Sequence, residues 1–235
     1  MPIYNASLLE INSSETKRYA GLGNSDFPQS LIDEACQEAR LLIQPRGCWE
    51  MYDYDWEKGI VMASPDFRIE GNSILKHLRG CVKIIAMVAT VGHDVENEIN
   101  KHFQEGRYSY SVILDAAATT AVEQLADMME RAMDQEFNKL GMARKWRFSP
   151  GYGDWPIQQQ PELLRISDAG RIGIGLTEAM MLTPRKSITA VAGLYWKDAG
   201  CNQDSEGHDC SSCCKYDCLA RKKFLKDRKN YDLYF

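Results

Sequence analysis

The chain has 235 residues, of which 44% are hydrophobic, and it carries a formal net charge of −5. The apolar share is that of a globular protein, and the mildly acidic balance argues against nucleic acid as the main partner. No apolar run approaches the length of a membrane span, and the first residues, Met-Pro-Ile-Tyr-Asn-Ala, lack the regions of a signal peptide. We therefore expect a cytoplasmic protein that does not contact a membrane.

The first hundred residues predict alternating helices and strands. Apolar residues at three- and four-residue spacing predict amphipathic helices, whereas a continuous run of β-branched residues predicts a buried strand. The predicted elements are a helix at 29–44, a strand at 48–56, a short helix at 72–79 with Asn72 as its N-cap, a buried strand at 82–91 and a helix at 94–103.

The longest predicted element is a helix at 109–140. Its apolar positions, including Leu114, Ala121 and Leu125, repeat at three- and four-residue spacing and form one seam. The methionines at 128, 129 and 133 fit core positions better than a cofactor site. Gly141 ends this helix in the expected way, because glycine readily takes the left-handed backbone of a C-terminal cap.

After the long helix, a short helix is predicted at 161–168, and 172–176 and 187–195 are interpreted as strands that pair with each other. Helices and strands mix without regular alternation. The fold class is therefore α+β, with a mixed or antiparallel sheet and flanking helices. The composition becomes polar and cysteine-rich near residue 197. We expect one domain at 1–196 and a basic, cysteine-rich appendage at 197–235.

The segment from Arg147 to Tyr152 has the composition of a ligand-binding loop. Arginine suits a carboxylate, which its planar guanidinium can hold through two parallel hydrogen bonds. Gly151 allows a ligand to approach the backbone closely, and Tyr152 offers a ring for stacking or for a cation. The alternative is an ordinary turn with an exposed arginine.

This loop is followed by Leu176-Thr-Glu178 and Pro184, and the combination resembles the activation domain of cobalamin-dependent methionine synthase. That domain carries an Arg-x-x-x-Gly-Tyr signature in the loop that binds S-adenosylmethionine, followed by a Leu-Thr-Glu segment. The resemblance covers about residues 70 to 195. The joint spacing of the two segments is fairly specific, whereas each segment alone is not.

The resemblance implies roles for five residues in binding S-adenosylmethionine. Arg147 would hold the carboxylate of the ligand, Ser149 and Gly151 would offer backbone groups, and Tyr152 would line the pocket. Glu123 would lie near the amino group of the ligand, and a sulfonium and an ammonium both favour nearby negative charge. The alternative for Glu123 is a solvated helix carboxylate. No catalytic residue is assigned.

The resemblance also implies a function in reactivation. In that family the domain restores methylcobalamin from the inactive Co(II) state, using one electron and a methyl group from S-adenosylmethionine. This chain has no Asp-x-His-x-x-Gly segment, so the cobalamin would be carried by a partner methionine synthase or corrinoid methyltransferase. An electron-transfer protein is a further expected partner. The alternative is a metal-stabilised scaffold subunit of a corrinoid methyltransferase complex that transfers no methyl group.

Five cysteines lie close together between positions 201 and 218. Cys201, Cys210, Cys213 and Cys218 could supply four thiolates to one metal centre, with Cys214 left over. Alternatively, Cys210, Cys213 and Cys218 bind the metal together with His208 or with one outside ligand. Such a donor set suits zinc or an iron–sulfur cluster, and the spacing does not choose between them. Redox-active thiols without a metal are a third possibility. The basic run at 215–229 is interpreted as a solvated helix face or a docking surface for an acidic protein.

Overall fold

A computed structural model describes residues 3–5, 7–23 and 25–197 of the chain. The helices are α1 (Ser13–Tyr19), α2 (Gln29–Leu42), α3 (Asn72–His77), α4 (Asp94–Gln104), α5 (Tyr108–Lys139) and α6 (Gln160–Ile166). Two short 3₁₀ turns, Ile157–Gln159 and Ala169–Ile172, flank α6. Within the described ranges, no helix is both long enough and apolar enough to cross a membrane.

The strands form one six-stranded sheet and a small two-stranded sheet. They are β1 (Arg46–Asp55), β2 (Ile60–Val61), β3 (Phe67–Arg68), β4 (Lys83–Thr90), β5 (Met142–Arg144), β6 (Gly175–Leu176), β7 (Leu182–Thr183) and β8 (Ser187–Trp196). The large sheet has the order β3-β2-β1-β4-β8-β5, and within the described part of the chain β6 pairs only with β7. Every neighbouring pair is antiparallel.

Both faces of the large sheet are covered, which explains the uninterrupted apolar run of β4. Its alternate side chains Ile85 and Met87 belong to the same buried cluster as the apolar seam of α5 and residues of α2 and α4. Ile84 and Ala86 belong to a second cluster on the opposite face, together with residues of α3 and α6. A strand buried on both faces has no polar side to display, so its sequence does not alternate.

The structure confirms the predicted α+β class with a long helix and flanking helices. Two local predictions were wrong. The strand predicted at 187–195 does not pair with 172–176, because β8 pairs with β4 and β5. Helix α3 begins at Asn72 itself, with Gly71 at the N-cap position. The predicted appendage at 197–235, with Cys201, Cys210, Cys213 and Cys218, lies almost entirely outside the described residues and stays a prediction.

A buried histidine links three of the helices. His102 is 4% exposed; its Nδ1 accepts from Arg107 at 3.1 Å and its Nε2 donates to Glu38 at 3.1 Å. The other oxygen of Glu38 accepts from the Tyr110 hydroxyl at 2.5 Å. Burial opposes ionisation of Glu38, but its hydrogen bonds to Tyr110 and His102 outweigh burial and lower its pKa. Since both ring nitrogens have partners, this network stabilises the packing of α2, α4 and α5.

Candidate functional site

The loop that follows Arg147 leaves the sheet beside β8 and folds on itself. Phe148 exchanges two backbone hydrogen bonds of 2.8 Å with Val191 of β8. Within the loop, the Tyr152 amide donates to the Ser149 carbonyl at 3.1 Å, and the Gly151 amide donates to the Trp155 carbonyl at 2.9 Å. The φ of Gly151 is +88°, a conformation that side chains disfavour. The Ser149 carbonyl and the Gly151 amide thus already form hydrogen bonds within the loop.

An aspartate fastens this loop to α3. The Asp154 carboxylate accepts from the backbone amides of Asn72 and Ser73 at 2.7 and 2.8 Å. These hydrogen bonds lower the pKa of Asp154. Gly71 precedes the helix with φ +106°, and a Cβ there would lie 3.0 Å from the Asp154 carbonyl oxygen. The close approach of the two segments therefore requires glycine at position 71.

A tryptophan anchors the end of the loop in the core. Trp155 is 1% exposed, and its indole nitrogen donates to Gln159 Oε1 at 2.6 Å. The amide nitrogen of Gln159 donates to the Arg68 carbonyl at 2.9 Å. The loop is thus fixed to β3 as well as to α3. Rigid support of this kind is what a binding loop needs, because less entropy is lost when a ligand binds.

Aromatic rings form a continuous group beside the loop. Trp146 and Phe148 stack with ring centroids 5.2 Å apart, and the Tyr152 ring meets Phe148 edge-on at 6.3 Å. The His77 ring lies 4.1 Å from Trp146, and its Nε2 donates to the Trp146 carbonyl at 2.9 Å. Tyr152 is 53% exposed, so part of its ring surface faces solvent. It can offer that surface to a planar or cationic group.

Arg147 lies against α5, where three carboxylates surround its guanidinium. One terminal nitrogen donates to Asp127 and to Glu130, both at 2.7 Å, and the other donates to Glu123 at 2.8 Å. Burial alone would lower the pKa of Arg147, but the three carboxylates outweigh it and raise the pKa. The guanidinium is therefore fully charged and held in place.

A second arginine extends this charged group. Arg144 donates to Glu130 at 2.8 Å and holds the Asp134 carboxylate through two hydrogen bonds of 2.9 and 3.1 Å. Glu130 is thus shared by both arginines. Its side chain is only 14% exposed, and burial raises its pKa although both arginines act in the opposite direction. The ionised form of Glu130 is therefore stabilised by Arg144 and Arg147.

The charges of this group do not cancel. We call it the α5 acidic ladder; it comprises Glu123, Asp127, Glu130 and Asp134 with the two arginines Arg144 and Arg147. Four carboxylates against two guanidiniums leave two surplus negative charges. Glu123 and Asp127 are the more accessible partners of Arg147, with side chains 33% and 47% exposed. A ligand that approaches Arg147 meets these two carboxylates first.

The structure brings two of the five predicted site residues into direct contact, namely Arg147 and Glu123. Ser149, Gly151 and Tyr152 lie on the adjoining loop. Glu178, from the Leu-Thr-Glu segment, is exposed in the turn between β6 and β7, where the Thr177 hydroxyl accepts from the Met181 amide at 3.2 Å.

Sequence reasoning missed Asp127 and Glu130 as partners of Arg147. A signal was present: acidic residues at 123, 127, 130 and 134 follow the four- and three-residue spacing that places side chains on one face of a helix. Two arginines three positions apart follow soon after, at 144 and 147. The pattern predicts an ion-pair ladder once the helix and the arginine segment are placed side by side.

Comparison with known proteins shows a likeness of fold. No protein-family model and no curated protein matches the sequence. A solved structure, the MetH reactivation domain bound to AdoHcy, superposes with a TM-score of 0.55 at 13% sequence identity, covering 82% of this chain and 78% of the other. The chain therefore has a fold similar to that of this reactivation domain.

Proposed function

We propose that this chain is a reactivation protein that binds S-adenosylmethionine beside Arg147 and supports reductive methylation of Co(II) cobalamin on a partner protein. The observation that carries the proposal is the contact between Arg147 and Glu123 in a fold similar to that of the MetH reactivation domain bound to AdoHcy. In such a reaction S-adenosylmethionine supplies the methyl group, an electron-transfer protein supplies the electron, and the partner is a methionine synthase or corrinoid methyltransferase.

The charge of the α5 acidic ladder suits this ligand. S-adenosylmethionine carries a sulfonium and an ammonium against one carboxylate, so the surplus negative charge favours it. Its carboxylate would replace Glu123 or Asp127 as a partner of Arg147, since both are partly exposed. The displaced carboxylate could then pair with the ammonium. Tyr152 would cover one side of the ligand with its exposed ring.

Isothermal titration with S-adenosylmethionine tests this assignment. We expect the wild type to bind, and the Glu123→Gln and Tyr152→Ala variants to lose about tenfold in affinity, which corresponds to about 1.4 kcal/mol each. Arg131→Gln is the matched control, because Arg131 is an exposed residue of the same helix. Equal binding by all four proteins would refute the site.

The second candidate is a scaffold subunit of a corrinoid methyltransferase complex that transfers no methyl group. The observation that favours it is that α5 already supplies the acceptors of all three hydrogen bonds that the terminal nitrogens of Arg147 donate to carboxylates. Methyl transfer from labelled S-adenosylmethionine to a Co(II) corrinoid protein, with a one-electron reductant present, distinguishes the two. Complex formation without transfer would favour the scaffold.

A further inference from the structure

A concavity of about 340 Å³ lies where α2 passes into β1, and none of its lining residues belongs to the site around Arg147. Its polar lining consists of Asn5, Ser7, Arg40, Gln44 and Arg46, and the other three lining residues are apolar. The volume is at the lower end of the range of small-molecule sites. Among the residues that the structure describes, the lining therefore contains two guanidinium groups and no carboxylate.

Arg46 shows an unmet hydrogen-bonding requirement. Its Nε is buried and has no hydrogen-bond partner within the part of the chain that the structure describes. A buried donor without a partner costs about 1 to 3 kcal/mol, so native structures rarely keep one without a reason. Because this Nε is closed to solvent, an anion in the concavity becomes its acceptor only when the Arg46 side chain turns towards the concavity.

The backbone around Arg46 is held firmly. Arg46 pairs with Thr90 in the β1–β4 ladder, and the next residue, Gly47, exchanges hydrogen bonds of 2.7 and 2.9 Å with Tyr4. This bridge fixes the segment that contributes Asn5. The Gln44 amide donates to the Val91 carbonyl at 2.8 Å. The polar groups of the concavity therefore stand on a prearranged backbone, which lowers the cost of binding.

The nearby charges do not cancel the two arginines. The Asp94 carboxylate accepts from the Gln44 side chain at 2.6 Å and is not part of the lining. The carboxyl end of α2 carries only about half a negative charge. A basic residue such as Arg40 is common in the last turn of a helix, where it lies near the negative end of the helix dipole. The helix dipole does not explain why the Nε of Arg46 is buried without a partner.

We propose that this concavity, with Arg40 and Arg46 as its cationic groups, binds the phosphate group of a small anionic ligand. Two guanidiniums from different elements line the concavity together with Asn5 and Ser7, and they present more donors than the two oxygens of a carboxylate can accept. The several oxygens of a phosphate match them better. The same chemistry serves free phosphate and a phosphate monoester.

The proposal is tested on the full chain by isothermal titration with inorganic phosphate, glycerol 3-phosphate and sodium acetate at equal ionic strength. We expect the wild type to bind at least one phosphate compound and to bind acetate at least tenfold more weakly. The tighter of the two phosphate compounds identifies the source of the phosphate group. Acetate binding as tight as phosphate binding would overturn the assignment.

The variants locate the binding. Arg46→Gln and Arg40→Gln should each weaken phosphate binding at least tenfold, while Arg46→Lys should recover part of it by restoring the charge without Nε. Arg131→Gln should bind as the wild type does. Circular dichroism confirms that each variant is folded; if Arg46→Gln is not, Arg40→Gln decides alone, because Arg40 is exposed. Unchanged binding in the deciding variant would refute the site.

Discussion

Arg147 and Arg46 are the same kind of side chain in opposite surroundings. The guanidinium of Arg147 is held by three carboxylates of one helix, in a group with surplus negative charge. Arg46 lines a concavity without a carboxylate, and its Nε has no partner among the described residues. The first arginine is part of the structure before any ligand arrives, whereas the second still lacks an acceptor.

The difference bears on how each arginine could bind an anion. A ligand carboxylate reaches Arg147 only by displacing a carboxylate already present, so the gain is the difference between two ion pairs. An anion at Arg46 would satisfy a donor that has no partner, and leaving such a donor unpaired costs free energy. We therefore expect the site around Arg147 to favour a carboxylate ligand that also carries positive charge, and Arg46 to respond to simple anions.

The largest expected effect is the loss of Arg147. Arg147→Gln should lower the free energy of unfolding by about 2 to 3 kcal/mol at neutral pH, because it leaves Glu130 buried with one arginine beside three other carboxylates. Urea denaturation measures the change. Arg131→Gln should change the stability by less than about 0.5 kcal/mol. A small loss in Arg147→Gln would show that the ladder does not stabilise the fold.

The support of the Arg147 loop should show the next largest effect. Gly71→Ala places a Cβ 3.0 Å from the backbone of Asp154 at φ +106°, and we expect a loss of about 2 kcal/mol. Gly170→Ala is the matched control, since a Cβ there would meet nothing within 4 Å. Thermal denaturation compares the two variants. Equal stability would show that the loop and α3 can move apart.

The stability loss of Arg147→Gln should depend on pH because of Glu130. Its pKa in the folded state is raised by burial, so the folded state gains stability as pH falls through that pKa towards the unfolded value of 4.5. Without Arg147 the pKa should rise further. We expect the loss of unfolding free energy in Arg147→Gln, relative to the wild type, to shrink by about 1 kcal/mol as the pH falls from about 7 to about 5. A penalty independent of pH in urea denaturation would contradict this account.

The elements that could be predicted from sequence are those whose pattern is local. The apolar run of β4 and the seam of α5 each extend over many residues, so their type was correct and their ends were close. The strand predicted at 172–176 is shorter than expected, with only Gly175–Leu176 in β6, because Ile172 ends a 3₁₀ turn that Gly173 caps with φ +74°. One partner of β8 is β4, about a hundred positions earlier, and no local pattern reveals such a pairing.

The candidate site was predictable in composition but not in its contacts. The segment from Arg147 to Tyr152 could be recognised from its residue types, and Glu123 from the resemblance. That Arg147 has three carboxylate partners depends on how α5 lies against the segment after β5, which is a tertiary feature. The buried Nε of Arg46 is also a tertiary feature, since an arginine before a strand has no distinctive sequence signal.

The smallest expected effect is the one that separates the two arginines most directly. Arg46→Gln removes a buried donor without a partner, so the free energy of unfolding should be unchanged or should rise by up to about 1 kcal/mol. Urea denaturation in phosphate-free buffer measures this, with the exposed Arg40→Gln as the control. A loss of more than about 1 kcal/mol would mean that Arg46 stabilises the folded chain much as Arg147 does. In a second measurement, added phosphate should stabilise the wild type and leave the stability of Arg46→Gln unchanged, because only a ligand that binds the folded state raises its stability.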